Sequence, residues 1–503
     1  MLLGFVVLYL VLSIGIGLTA AMRVNTAKDF AVAGRGLPLP VVTATVFATW
    51  FGSEAVLGVS AQFVREGLQG VVADPFGSSM CLMLAGLVFA KRLYRLNLLT
   101  IGDYYHQRYN RAVEVLCTLC IVASYLGWVS AQIKALGLVF NIVTDGAISQ
   151  ETGMILGAAI VLTYTTFGGM LSVAVLDFVQ MSVIMGGMLY IAYVVSGLAG
   201  GVDTVVTHAW NAGKLDFFPD ADWKLWVPLL GAWMTMMLGS IPQQDVFQRI
   251  TSAKDEQTAV RGSVLGASIY LLFAFVPMFL AYSATLIDPA KFGGMVETDS
   301  QMVLPSLILA HTPMVAQIIF FGALLSAIMS CSSATLLAPS VSFSENIVRG
   351  FYPNMSDKTF LLVMRLVIVC FAAVVLMFAL GTNSSIFEMV ESAYKVTLVA
   401  AFVPLAFGIF WKRASTQGAL LAIGFGLVTW LTCEVLEPSD VWPAQILGLG
   451  AAIVGMLLGS LMPQRIGGGR PHEAAVMHHG HAHAGHHAAA HTHHATPTHH
   501  HKK

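Results

Sequence analysis

The chain has 503 residues, 56% of them hydrophobic and only 11% charged, with a mean hydropathy of +0.75. A soluble protein of this size carries about a quarter charged residues and no long uncharged apolar runs, so the soluble classes are excluded. Lys and Arg number 26 against 27 Asp and Glu, a formal charge of −1, and no global basic field favours nucleic acid.

A membrane-spanning helix needs about 20 mainly apolar residues. Thirteen segments between charged or Gly/Pro-rich breaks meet that length, at about 3–22, 40–64, 70–90, 112–141, 152–167, 170–198, 225–247, 262–286, 313–347, 360–380, 385–410, 415–436 and 441–462. The first reads as a retained span, because no small-residue cleavage site follows it. With the N-terminus outside, the outer loops hold only Arg65, Lys214, Lys224 and Lys291, and Lys134, Arg365 and Lys395 lie within spans. All other basic residues, Arg249 among them, fall on the inside, which satisfies the positive-inside rule. An odd count places the C-terminus in the cytoplasm, and the expected location is a bacterial inner (plasma) membrane.

The second segment contains Gly52-Ser53-Glu54 and Gly58, and the seventh contains Gly239-Ser240-Ile241-Pro242. Helix breakers and ionisable groups at membrane depth free backbone groups that only protein or a water-filled cavity can satisfy, so such breaks mark cavities. Five spans separate the two breaks, the spacing of two inverted five-helix repeats whose first helices are discontinuous and meet near the midplane. The expected organisation is a first span and cytoplasmic linker at 1–39, repeats at 40–198 and 225–411, two further spans at 412–465, and a tail at 466–503. Thirteen of the 16 histidines lie between His472 and His501, interleaved with Ala, Gly and Thr. Such a segment buries no core and is expected to be disordered. It is read either as a weak transition-metal or pH-sensing tract or as inert low-complexity sequence.

The six cysteines all lie in apolar segments and read as buried thiols rather than a disulfide framework. No nucleotide-binding glycine loop, catalytic triad or zinc-protease motif falls in a cytoplasmic loop, and the loops are too short for a catalytic domain, so no enzyme is expected.

Four stretches carry a more specific signal: TATVFATWFGSEAVLG in the second segment, TYTTFGGMLSVAVLDFVQ entering the sixth, GSIPQQDVFQRITSAKDEQTA leaving the seventh, and ALLSAIMSCSSATLLAPSVSFSENI in the ninth. Their order and spacing resemble the sodium:solute symporter family over about residues 1–465, nearest in motif to its high-affinity choline transporter branch. The resemblance implies an all-α polytopic membrane protein with a LeuT-type five-plus-five inverted repeat. It also implies cotransport of one small organic solute (an amine, amino acid or quaternary ammonium compound) with Na⁺ by alternating access, and no cofactor beyond that coupling ion.

By position, the resemblance gives a Na⁺ site of the Ala48, Phe51 and Ala327 carbonyls and the Ser330 hydroxyl. Na⁺ is a hard cation suited to several oxygen ligands. The second hydroxyl position is Cys331, a soft thiol and a poor Na⁺ ligand, so Ser332, Ser333 or a water compensates, or the site binds Na⁺ weakly, or another cation drives transport. Asp177 matches a family aspartate on the inner side of that site; its structural alternative is a helix-cap or loop-contact carboxylate.

Substrate candidates beside the breaks are Trp50, Ser53 and Glu54, Asp74 and Ser78, Trp128, and Trp233, Ser240 and Gln243. Trp50 and Trp128 match rings that enclose a quaternary ammonium in the choline branch, where a cation over indole faces gains about 2 kcal/mol or more. Gln243 and Ser78 replace two aromatic residues of that cage. Glu54, Asp74 and Gln243 instead favour a zwitterionic or cationic amine, with H⁺ coupling through Glu54 as a variant. Glu54 has a second reading, a salt bridge to Lys134 or Lys395. Glu388, Glu391 and Lys395 share a helix face and either line the outer vestibule or stabilise one another. A solute receptor and an uncoupled carrier are the alternatives to symport.

Overall fold

The computed structural model describes residues 2–437, 439 and 441–466. The histidine-rich tail therefore lies outside the described residues. Within them the chain is all helix, with one isolated bridge between Leu37 and Ala253 and no strand. Ten helices are long and apolar enough to cross a membrane, eleven when the bent pair Trp223–Gly239 and Gln244–Ser252 counts as one span. This differs from the thirteen expected segments because Gln150–Leu198 holds the fifth and sixth, while Glu54–Arg95 joins the third to the latter part of the second, whose first part is the short helix Leu39–Trp50. Inside Gln150–Leu198 the helical path is interrupted at Gly169, whose φ is +51°. A Cβ there would lie 2.5 Å from the Phe30 carbonyl oxygen, so both the conformation and the close approach require glycine.

Helix ends are capped where polar side chains permit. Thr100 and Asp103 form a reciprocal capping box at the start of Ile101–Arg108, as do Ser385 and Glu388 at the start of Ile386–Thr397. Burial pushes the Asp103 carboxyl above its usual range, against the hydrogen bonds it accepts from Thr100 and Asn346.

The helix Met314–Phe343 is the axis of the molecule: it packs on Gln150–Leu198, on Arg111–Val143 and on Leu39–Trp50. Its face from Ala323 to Ser342 is buried throughout, although it carries many hydroxyls. Most of these bond back to the helix, as Ser332 does to the Ile328 carbonyl (2.6 Å) and Ser333 to the Ser330 carbonyl (3.0 Å). Ser330 is different, and its hydroxyl leaves the helix.

Both expected breaks are present. Leu39–Trp50 stops at Phe51 (φ −90°, ψ 71°), and the chain turns through Gly52 and Ser53 before helix resumes at Glu54. Gly52 sits so close to the central helix that a Cβ there would meet the Cys331 Cβ at 2.7 Å. In the seventh segment Trp223–Gly239 and Gln244–Ser252 meet at 47° across Ser240–Gln243. Pro242 has no N–H to continue the ladder, the Gln243 N–H turns to the Ser240 carbonyl (3.1 Å), and the Gly239 carbonyl it would have served accepts the Thr397 hydroxyl instead (2.7 Å).

Candidate functional site

The helix Leu39–Trp50 ends with unpaired carbonyls, and one of them, Ala48 C=O, accepts the Ser330 hydroxyl at 3.0 Å. The same hydroxyl lies 2.5 Å from Asp177 Oδ1, while Thr45 Oγ1 donates to Asp177 Oδ2. The structure thus joins Ala48, Ser330 and Asp177, residues from three remote stretches of sequence, into one fully buried oxygen cluster, with Thr45 as a member that sequence reasoning missed. Asp177 lies in mid-helix, which removes its helix-cap alternative. Phe51 and Ala327 are buried in the same seam; the Phe51 ring stacks on Phe47 at 5.0 Å. Cys331 turns its thiol toward Glu54, with Sγ 3.8 Å from Oε1.

On the other side of Gly52 stands a group of aromatic rings and carboxylates. Trp50 contacts Trp128 at 5.3 Å and stacks on Tyr394 at 6.1 Å; Tyr125 stacks on Trp128 at 5.9 Å. The Glu54 carboxylate, 2% exposed, accepts Trp128 Nε1–H (3.1 Å) on one oxygen and Gln132 Nε2–H (2.5 Å) on the other. Gln132 also accepts the freed main-chain N–H of Ser53 (2.9 Å), so one amide closes the break and fixes the acid. Glu54 therefore forms no salt bridge among the described residues: Lys134 Nζ donates to the Ser384 carbonyl (2.6 Å) and Lys395 pairs with Glu434 (3.3 Å). Lys395, Glu388 and Glu391 do line a common cavity of about 490 Å³ with Glu434 and Glu437.

Two residues of the QQDVFQR stretch, Asp245 and Arg249, were not foreseen as part of the site. Asp245 accepts Trp50 Nε1–H at 3.0 Å on Oδ2 and the Tyr125 hydroxyl on Oδ1. It thereby sets the planes of two rings from different helices. Arg249, expected in a cytoplasmic loop, is only 2% exposed: its Nε donates to Thr49 Oγ1 (3.0 Å) and its Nη1 to the Asp245 carbonyl (3.3 Å). The signal available was an acid and a base at i and i+4 directly after a Pro break, a spacing that shares one helix face.

The remaining candidates divide. Gln243 bridges the seventh-segment break to its neighbours through Ser124 (2.8 Å) and Thr397 (3.4 Å). Ser53, Ser78 and Ser240 are buried, with hydroxyls that have no hydrogen-bond partner among the described residues. Asp74 accepts the Tyr270 hydroxyl at 2.6 Å, and the Tyr270 ring lies 6.1 Å from Phe51. Trp233 does not join the aromatic group; its ring packs on Phe217 at 5.5 Å and is half-buried. An indole in an apolar span carries no sign of the direction in which it points.

A cavity lined in part by Trp50, Val246 and Arg249 has room for about one water, at about 10 Å³.

The family model for "Sodium:solute symporter family" matches residues 30–426. The chain belongs to the sodium:solute symporter family. Among its relatives, the high-affinity choline transporter 1 of Caenorhabditis elegans is 27% identical over 85% of this chain and 77% of that protein. The osmoregulated proline transporter OpuE of Bacillus subtilis is 26% identical over 89% of this chain and 92% of its own. A Na⁺-coupled sialic acid symporter solved in a substrate-bound outward-open state has a TM-score of 0.79 at 18% identity, covering 91% of this chain and 97% of that one. MhsT in complex with L-phenylalanine has a TM-score of 0.54 at 15% identity, covering 84% of this chain and 98% of that one. The structural neighbours show the fold: this is an all-helical integral membrane protein of the LeuT type, a transporter rather than an enzyme.

Proposed function

We propose that this family member is a Na⁺-coupled secondary carrier that imports a small organic amine by alternating access. The observation that carries the reading is the buried cluster of the Ala48 carbonyl, the Ser330 hydroxyl and the Asp177 carboxylate at the end of a broken helix. It offers a hard cation several oxygens, one of them anionic, in a place where an uncompensated charge is costly. In this reading the Phe51 and Ala327 carbonyls complete the ligand set. The thiol of Cys331 stands outside it, and Asp177 and Thr45 supply the oxygen that a serine at 331 would have given.

The amine is favoured by charge. Glu54, Asp74, Asp177 and Asp245 are buried around the two breaks, with Arg249 as the buried guanidinium among them. Once Na⁺ is assigned to Asp177, the rest of the seam is still richer in acid than in base and suits a cationic or zwitterionic solute. Indole and phenol faces at Trp50, Trp128 and Tyr394 supply the apolar and cation–π part of such a site. The choline and proline transporters among the relatives are consistent with ammonium-bearing solutes. In the same reading the repeats run over 40–198 and 225–411, the N-terminus is outside and the C-terminus inside a bacterial plasma membrane.

The test is uptake of amines and amino acids by proteoliposomes with an inward Na⁺ gradient, an inward H⁺ gradient, or neither. Symport with Na⁺ predicts accumulation in the first case alone. Uptake indifferent to Na⁺ removes the coupling proposal.

A further inference from the structure

Three of the four buried carboxylates around the breaks receive a donor on each of their two oxygens. Both oxygens of Glu54 receive N–H groups, both of Asp177 receive hydroxyls, and those of Asp245 receive one of each. Asp74 is the exception. It is 3% exposed, its Oδ1 accepts the Tyr270 hydroxyl, and its Oδ2 has no partner of hydrogen-bond geometry among the described residues. One turn further on, the fully buried Ser78 sets its hydroxyl beside the Asp74 carboxyl, likewise without a partner of hydrogen-bond geometry among the described residues. A carboxylate oxygen held in the core without a donor is costly, and a site that keeps one is incomplete without the group that fills it.

The position of Asp74 relates this open acceptor to the solute. Tyr270 ties Asp74 to Phe51 at the first break, and Gly77 packs against the main chain of Trp233 in the seventh segment. Asp74 therefore lies between the two broken elements, near the Glu54 side chain but without the donors that Glu54 receives. A group that joins the Ser78 hydroxyl at Asp74 Oδ2 has to donate an N–H or O–H, and, facing an anion, an ammonium N–H satisfies both hydrogen bonding and charge, which a neutral hydroxyl does not.

We infer that the transported amine carries at least one ammonium N–H, donated to Asp74 Oδ2, so that primary, secondary and tertiary amines are bound in preference to a quaternary ammonium. The inference rests on the carrier reading above and deepens it. A site built to receive a hydrogen bond rejects the analogue that lacks the donor, because its own acceptor is then left buried and unpaired.

The test uses ethanolamine, N-methylethanolamine, N,N-dimethylethanolamine and choline, which keep one charge and one hydroxyl while the N–H count falls to zero. Ligand-induced thermal stabilisation of the purified full chain reads binding, and competition against uptake reads transport. The expected result is a step of about tenfold or more in affinity between the dimethyl compound and choline, abolished in Asp74→Asn. Choline binding as tightly as its N–H-bearing relatives, an Asp74→Asn protein that keeps the step, or no stabilisation by any member would overturn the inference. The wild-type series alone decides if Asp74→Asn does not fold. Binding in the expected order with uptake indifferent to ion gradients would instead remove the Na⁺-coupling part of the carrier reading and leave this inference standing.

Discussion

Replacing Ser330 with alanine removes the one hydroxyl that reaches both the freed Ala48 carbonyl (3.0 Å) and the Asp177 carboxylate (2.5 Å). Interactions of this charge-assisted kind contribute about 1.5–3 kcal/mol each, and every 1.4 kcal/mol is about tenfold in an equilibrium constant. Losing one oxygen from a small set of hard ligands should therefore raise the half-saturating Na⁺ concentration by roughly tenfold to a hundredfold. The assay is the Na⁺ dependence of amine uptake in proteoliposomes, read beside Na⁺-induced thermal stabilisation of the detergent-solubilised protein. The second measurement separates a lost ion site from a misfolded variant. Ser330→Cys, which keeps volume but offers a soft sulfur, should resemble the alanine variant. A half-saturating Na⁺ concentration within about twofold of wild type in both variants would refute the assignment, because a lost ligand predicts at least the tenfold shift.

Other substitutions test the surrounding network. Glu54→Gln places an amide against two N–H donors, those of Trp128 and Gln132, and so leaves one buried donor unpaired. It should cost about 1–3 kcal/mol of stability and raise the KM for amines, visible as a lower thermal midpoint and a shifted uptake curve. Asp245→Asn can accept from only one of Trp50 and Tyr125, so the rings lose a common anchor and the amine KM should rise while the half-saturating Na⁺ concentration stays near wild type. Equal shifts in both would show that Asp245 acts on the whole core rather than on the rings. Gly169→Ala forces a side chain into a left-handed backbone position 2.5 Å from the Phe30 carbonyl. It should lower the thermal midpoint, at a cost of about 1–3 kcal/mol for the strained conformation alone.

Much of the fold was legible because the membrane makes a simple demand on the backbone. Gly52-Ser53-Glu54 and Ser240-Ile241-Pro242 are conspicuous in apolar surroundings, and both proved to be interruptions. The oxygen cluster was legible through the motifs that contain Ala48, Asp177 and Ser330, although Thr45, one turn before Thr49 and Ala48, went unnoticed among many hydroxyls. Asp245 was not legible. Its partners Trp50 and Tyr125 lie 195 and 120 residues away, and no periodicity links positions so remote. Arg249 was misplaced for a related reason: polar neighbours mimic a loop, whereas here they form one buried helix, Gln244–Ser252. The opposite fault put Trp233 in the site, since composition does not say which way a ring faces. Glu54 carried two readings that only geometry could separate, and the donors from Trp128 and Gln132 removed the salt bridge.

The central claim is that a cation and an organic solute share one seam between two broken helices, and dual-label flux tests it most directly. Radiolabelled Na⁺ and a labelled amine are followed together in the same proteoliposomes. Each influx should require the other at a fixed ratio, and Ser330→Ala should lower both. Amine accumulation with no accompanying Na⁺ entry would contradict it.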